Sequence, residues 1–228
     1  MSENLLTFST LELLLAGITG VLFIIQILYY LVTYARPLRA AKTAESTEQA
    51  TVDKETQPVS VIVYAHGEPE DLRNNLPVLL NQDYPDYEII VVNDGSDANS
   101  EDVLKLFSNE YKNLYYTYVP VDTQYLSHKK LALTMGIKAA RHDILLFTEA
   151  DCRPIGPKWI KAMAGSYNPE TDIILGFCAY RHTKGFLHKL IAYDNLTNGL
   201  QMISSALSHH PFTGNGRNLS YRKKLFFD

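Results

Sequence analysis

Cysteine is almost missing from this chain: Cys152 and Cys178 are the only two. They form no CxxC or zinc-ligand spacing, which excludes a disulfide scaffold and a structural zinc module and fits a reducing compartment. An excess of basic residues is also missing. The formal net charge is −4, so nothing suggests a nucleic-acid partner. No repeat recurs at a solenoid period. Among the histidines, His182, His188 and the His209-His210 pair lack a coherent ligand spacing and read as surface or core residues. What is present is ordinary globular composition, 46% hydrophobic and 20% charged over 228 residues, enough for one sizeable core and an appendage.

The appendage comes first. Leu13 to Tyr34 carries no formal charge and, at about 1.5 Å per residue, reaches the roughly 30 Å of a bilayer core. It reads as a transmembrane helix rather than a signal peptide, since the apolar run is too long and no basic stretch precedes it. Glu3 and Glu12 lie before it and Arg36, Arg39 and Lys42 after it, so the positive-inside rule places everything downstream in the cytoplasm. The expected organisation is an anchor over 1–35, a flexible linker over 36–57 that lacks aromatics, and one globular domain over 58–228.

Within that domain, short β-branched runs alternate with helical spacings. VSVIVYA after Pro58, EIIVV at 88–92, Leu114 to Val119 and Ile144 to Phe147 are expected strands, and Asp172 to Tyr180 a further one. Leu72, Leu76, Leu79 and Leu80 mark a helix between the first two. Ser100 is an expected N-cap of a helix through Phe107, His128 to Ala140 reads as helix, another helix begins near Gly156 or Pro157, and Phe186 to Leu207 is a long helical stretch. This alternation predicts an α/β fold with a mostly parallel sheet flanked by helices. The terminal TGNGRNLSYRKKLFFD reads as a glycine-bearing loop, a short strand and the start of a helix.

Three polar clusters fall at expected strand ends: His66 to Glu68, Asn93-Asp94-Gly95-Ser96, and Glu149 with Asp151. Singly, a DG pair is a turn, and a carboxylate pair after a strand equally suits the N-cap of the next helix. Together they make a site, because a parallel sheet brings its strand carboxyl ends to one rim. Hard oxygen donors of this kind suit Mg²⁺ or Mn²⁺, which bridges readily to a diphosphate. A nucleotidyltransferase on a similar sheet predicts a glycine-rich phosphate loop after the first strand, which HGEPED does not supply.

The segments VSVIVYAHGE, EIIVVNDGS, HKKLALTMGIKAA and LLFTEADCRP, in this order, resemble the family 2 glycosyltransferases, nucleotide-sugar enzymes of GT-A fold. The resemblance implies that Glu68 and Asp94 line the nucleoside pocket. It implies that Lys129, three residues before Ala132-Leu133, lies near the donor nucleotide. Asp151 matches the second acid of the family's DxD motif, a metal ligand, while Glu149 replaces the first aspartate and is expected at the ribose or metal. GNGRN, Gly214 to Asn218, resembles a segment lining the acceptor and donor-sugar region.

The implied function is sugar transfer, with inversion, from a nucleotide-sugar, expected to be UDP-linked, to a glycan or lipid-linked acceptor in cell-surface polysaccharide or glycolipid synthesis. The implied location is single-pass in a bacterial inner membrane. The family's acidic pair for the general base and its QxxRW motif are not found, so the catalytic base is expected beyond Asp228 and the chain reads as truncated. A non-catalytic nucleotide-sugar-binding module remains the alternative. Asn195-Leu-Thr and Asn218-Leu-Ser match the glycosylation pattern, which a cytoplasmic location makes a chance match.

Overall fold

The computed structural model describes residues 9–47, 56–95, 98–120, 127–181 and 183–227. Glu3, Ser96, His182, Asp228 and residues 48–55 of the expected linker lie outside them. The chain forms two compact units, one of residues 1–48 and 183–212, the other of residues 49–182 and 213–228.

The first unit pairs two helices, α1 (Thr10–Thr47) and α6 (Phe186–Leu207). Large apolar side chains stand exposed all around α1, among them Leu14, Leu22, Phe23 and Ile25, and Thr10–Lys42 is long and apolar enough to cross a membrane. The helix does not stop where the flexible linker is expected. It runs through Pro37 to Thr47, because Ala, Arg, Lys and Glu after the apolar run are good helix formers. Thr33 is buried, and the Arg36 guanidinium donates to Ser208 Oγ just past α6. The expected 58–228 domain therefore contains a helical segment that packs with α1.

The second unit is a six-stranded sheet in the order β3-β2-β1-β4-β6-β5. Strands β1 (Val59–Ala65), β2 (Tyr87–Asn93), β3 (Leu114–Tyr118) and β4 (Ile144–Glu149) are parallel. Their side chains alternate between two cores. Val59, Val61, Val63, Ile89, Val91, Ile144 and Leu146 meet Leu72, Leu76 and Leu79 of α2 (Pro69–Leu80), Val103 and Leu104 of α3 (Ala98–Glu110), and Ile160 and Met163 of α5 (Trp159–Gly165). Ile62, Ile90, Val92, Leu145 and Phe147 meet Ala132 and Ile137 of α4 (His128–Ala139) on the other face. Burial on both faces explains the unbroken apolar runs.

Three expectations are corrected. Ser100 is not an N-cap: α3 starts at Ala98, and Ser100 is fully buried with no partner for its Oγ among the described residues. The strand expected over 172–180 shortens to β5 (Ile173–Leu175), which runs antiparallel to β6 (Leu219–Arg222), itself antiparallel to β4. Just past β5, Gly176 N–H bonds the Asn218 carbonyl at 2.8 Å and the Asn218 side chain folds over Gly176, where any Cβ would collide. Residues 223–226 close the described chain as one 3₁₀ turn rather than an α-helix.

Candidate functional site

The parallel register brings three chain segments to one rim. Ala65 stands beside Asn93, and Tyr64 beside Glu149, so the polar residues that come after β1, β2 and β4 emerge together. The β1 and β2 turns touch. Gly67 takes φ 66°, and a Cβ on Gly95 would lie 2.7 Å from the Gly67 nitrogen, so both positions need glycine. Buried Asn93 joins them, accepting from Gly67 N–H at 3.4 Å and donating to Gly95 O at 3.3 Å.

Asp94 is nearly enclosed, its side chain 4% exposed. Tyr64 Oη donates to Oδ2 at 2.9 Å, His128 Nδ1 donates to Oδ1 at 2.8 Å, and His66 Nδ1 donates to the Asp94 carbonyl at 2.9 Å. A fixed carboxylate with two ordered donors is suited to accept an N–H from a flat heterocycle. Glu68 occupies the N-cap position of α2, its carbonyl accepting from Leu72 N–H at 3.0 Å, and its side chain makes no capping bond. Burial raises the Glu68 carboxyl above its ordinary range, the negative charges of Asp151, Asp71 and Glu149 raise it further, and the His66 backbone N–H offsets only part.

The β4 carboxylates form the densest corner. Lys129 Nζ reaches Glu149 Oε1 at 2.5 Å and lies 5.1 Å from the centre of the Tyr64 ring. Arg217 bridges both acids, Nε to Glu149 Oε2 at 3.1 Å and a terminal nitrogen to Asp151 Oδ2 at 3.3 Å. Cys152 Sγ donates to Asp151 Oδ1 at 3.2 Å and lies 3.8 Å from Cys178 Sγ. Burial pushes Glu149 up, but the hydrogen bonds and charges of Lys129 and Arg217 outweigh it and hold the carboxyl below its ordinary range.

All five residues expected at the site, Glu68, Asp94, Lys129, Glu149 and Asp151, lie along this rim. The sequence assigns no role to Tyr64 or His128, and places Arg217 only within the Gly214 to Asn218 segment expected to line the acceptor and donor-sugar region. Tyr64 and His128 carry no motif of their own and become partners of Asp94 only through the fold. Arg217 had a signal, the GNGRN segment. Asn215 Oδ1 accepts the Arg217 backbone N–H at 3.0 Å, closing an Asx turn, and Asn218 N–H bonds the Asn215 carbonyl at 3.1 Å. The Asn218 side chain then pins the loop, accepting from Trp159 Nε1 at 3.1 Å and donating to Phe177 O at 3.1 Å.

Among the described residues, no group of three or more acidic, histidine or cysteine side chains is gathered into a cage for a metal ion. Two adjacent carboxylates nevertheless fit Mg²⁺ or Mn²⁺, which take one or two protein carboxylates and complete their shell with water and substrate phosphate. A zinc or calcium site would need more protein ligands than this corner offers.

The model of the family described as "Glycosyl transferase family 2" matches residues 60–226. The chain belongs to that family. The poly-beta-1,6-N-acetyl-D-glucosamine synthase of Staphylococcus epidermidis is 27% identical over 132 residues, covering 58% of this chain and 30% of that protein. Glycosyltransferase AglE of Haloferax volcanii is 29% identical over 150 residues, covering 64% and 47%. The chain thus spans between about a third and a half of these relatives' length. The solved mannosyltransferase PcManGT of Pyrobaculum calidifontis, in complex with GDP-Man and Mn²⁺, superposes with a TM-score of 0.56 at 16% identity, over 86% of this chain and 54% of that one. Residues 1–349 of TarS from S. aureus give 0.51 at 18% identity, over 75% and 48%. These likenesses show the fold: the sheet unit of this family 2 member is a GT-A domain.

Proposed function

We propose that the chain carries the donor-binding part of an inverting, membrane-anchored glycosyltransferase. It takes a sugar from a nucleotide-sugar, UDP-linked, and delivers it to a glycan or lipid-linked acceptor in cell-surface polysaccharide or glycolipid synthesis. The observation that carries this reading is the single rim on which Glu68, Asp94, Lys129, Glu149 and Asp151 converge. Family membership supports the reaction class, and the polymer-building relative in Staphylococcus epidermidis supports the product class.

In this reading Asp94 and Glu68 hold the nucleoside. The Asp94 carboxylate accepts the imide N–H of uracil, where adenine and cytosine present a ring-nitrogen acceptor instead. Lys129 meets the diphosphate, and its negative charge is what the ammonium is placed to balance. Asp151 and Glu149 would hold Mg²⁺ or Mn²⁺, which when bound supplies Lewis-acid stabilisation of charge on the departing diphosphate. Charge on the two sides of the apolar stretch of α1, Glu12 before Leu13 to Tyr34 and Arg36 and Arg39 after it, supports a cytoplasmic GT-A domain at a bacterial inner membrane.

Calorimetry of the full chain in detergent tests this directly. UDP is expected to bind only with Mn²⁺ or Mg²⁺ and more tightly than ADP. Asp151→Ala is expected to cost at least the ten- to hundredfold that loss of even an indirect metal contact costs. Metal-independent UDP binding, unchanged in Asp151→Ala, would refute the reading.

A further inference from the structure

Every carboxylate oxygen of the two acids assigned to the metal already accepts one donor. Glu149 gives Oε1 to Lys129 and Oε2 to Arg217, while Asp151 gives Oδ1 to Cys152 and Oδ2 to Arg217. Mg²⁺ binds carboxylate oxygen directly, at about 2.0–2.1 Å, and although each oxygen keeps a second lone pair, a cation that close meets the positive charge of the guanidinium already bound to both acids. The pairing also balances charge: two carboxylates face one ammonium and one guanidinium. A divalent cation arriving alone meets two acids already paired with cations, with Glu68 the further carboxyl within reach.

Arg217 is built for exchange. Its backbone is held by the Asn215 turn and the pinned Asn218 side chain, whereas its own side chain is 33% exposed and Asp151 is 41% exposed. The pair with Asp151 has solvent access enough to be displaced, whereas the Glu149 side chain on the other arm is 14% exposed.

We propose that Arg217 is a latch on the metal-binding carboxylates. In the ligand-free chain it holds Glu149 and Asp151 and keeps the corner closed to a lone metal ion. When metal and nucleoside diphosphate arrive together, the metal takes the carboxylates and the freed guanidinium turns to the diphosphate. Metal and nucleotide binding are thereby coupled, and the site does not fill with metal in the absence of donor. Arg217 is thus itself a ligand-binding residue once released, and the proposal rests on the donor-site reading above.

The test uses the full chain and tracks free Mn²⁺ by electron paramagnetic resonance, first without and then with UDP. Arg217→Met keeps the side-chain length and removes the charge; Arg217→Lys keeps the charge but cannot bridge both acids. Thermal unfolding of each variant establishes that it is folded. Arg217→Met is expected to bind Mn²⁺ without nucleotide about tenfold more tightly than wild type and to lose most of the tightening that UDP confers, with Arg217→Lys in between. Equal Mn²⁺ affinity in wild type and both variants, abolished by Asp151→Ala, would overturn the latch and leave the donor site standing. Mn²⁺ binding that survives Asp151→Ala would overturn both.

Discussion

The sheet carries a carboxylate–arginine cluster at each end, and the two differ in who supplies the donors. At the amino end, Glu88 is 5% exposed and accepts from Ser60 Oγ at 2.7 Å, from the Arg141 backbone N–H at 2.7 Å and from Arg141 Nε at 3.1 Å. Ser60 Oγ in turn accepts from His142 N–H at 3.1 Å, and the Arg141 guanidinium rests 4.3 Å from the centre of the Tyr115 ring. Neighbouring strand and turn backbone build this cluster, so it cannot come apart without local unfolding. At the carboxyl end, Glu149 and Asp151 are met by side chains alone, from α4, from the GNGRN loop and from Cys152. The first cluster is satisfied by fixed parts; the second is satisfied by parts that can be exchanged.

The largest effect expected from this difference is on stability. Glu88→Ala removes the acceptor for a buried hydroxyl and a backbone N–H, and should cost on the order of 3 kcal/mol in urea unfolding. UDP affinity of the folded fraction should not change. A Glu88 variant with native stability, or one that loses UDP while still folded, would dissolve the distinction between the two ends.

A smaller effect separates the ends by pH. Glu149 is held below its ordinary range in the folded chain, so its ion pairs contribute stability fully above the unfolded carboxyl pKa of about 4.3. That contribution is lost as pH falls through the depressed folded value. Glu149 is partly accessible, so the difference between wild type and Glu149→Gln should be below about 1 kcal/mol at pH 7 and shrink toward zero in acid. A gap between the two that widens as pH falls would show that the Lys129 and Arg217 pairs do not hold Glu149 in its charged form.

The same contrast explains what was legible in the sequence. β1, β2 and β4 are buried on both faces, so their apolar runs marked them, and the parallel register accounts for the acids after them. Glu88 went unnoticed because a charge at the start of a strand looks like any solvated residue. Its partners Ser60 and Arg141 are distant in sequence. β5 and β6 were blurred because an antiparallel edge with partly buried, polar residues lacks that signature. Arg217 sat in a noticed segment, yet its reach to both β4 acids comes from the antiparallel placement of β6 beside β4. The helix past Tyr34 was missed for another reason: polar composition marks solvent exposure, and exposure alone does not distinguish a solvated helix from a tether.

The smallest expected effect probes how open the carboxyl end is. Cys178 is lowered to about 7, first by the hydrogen bond with Cys152 and then by the Arg217 charge, against the opposing effect of burial. Cys152 moves the other way, pushed above the usual thiol range by its bond with Cys178, by burial and by Asp151. Only one member of the pair therefore offers a thiolate near neutrality, and it is the more exposed one. Iodoacetamide should modify Cys178 before Cys152, at a rate rising through pH of about 7. Arg217→Met should move that midpoint upward, since it deletes a lowering charge. Equal labelling of both thiols, or a midpoint indifferent to Arg217, would mean that the guanidinium does not act on this corner, and would make the two ends of the sheet more alike than their donors suggest.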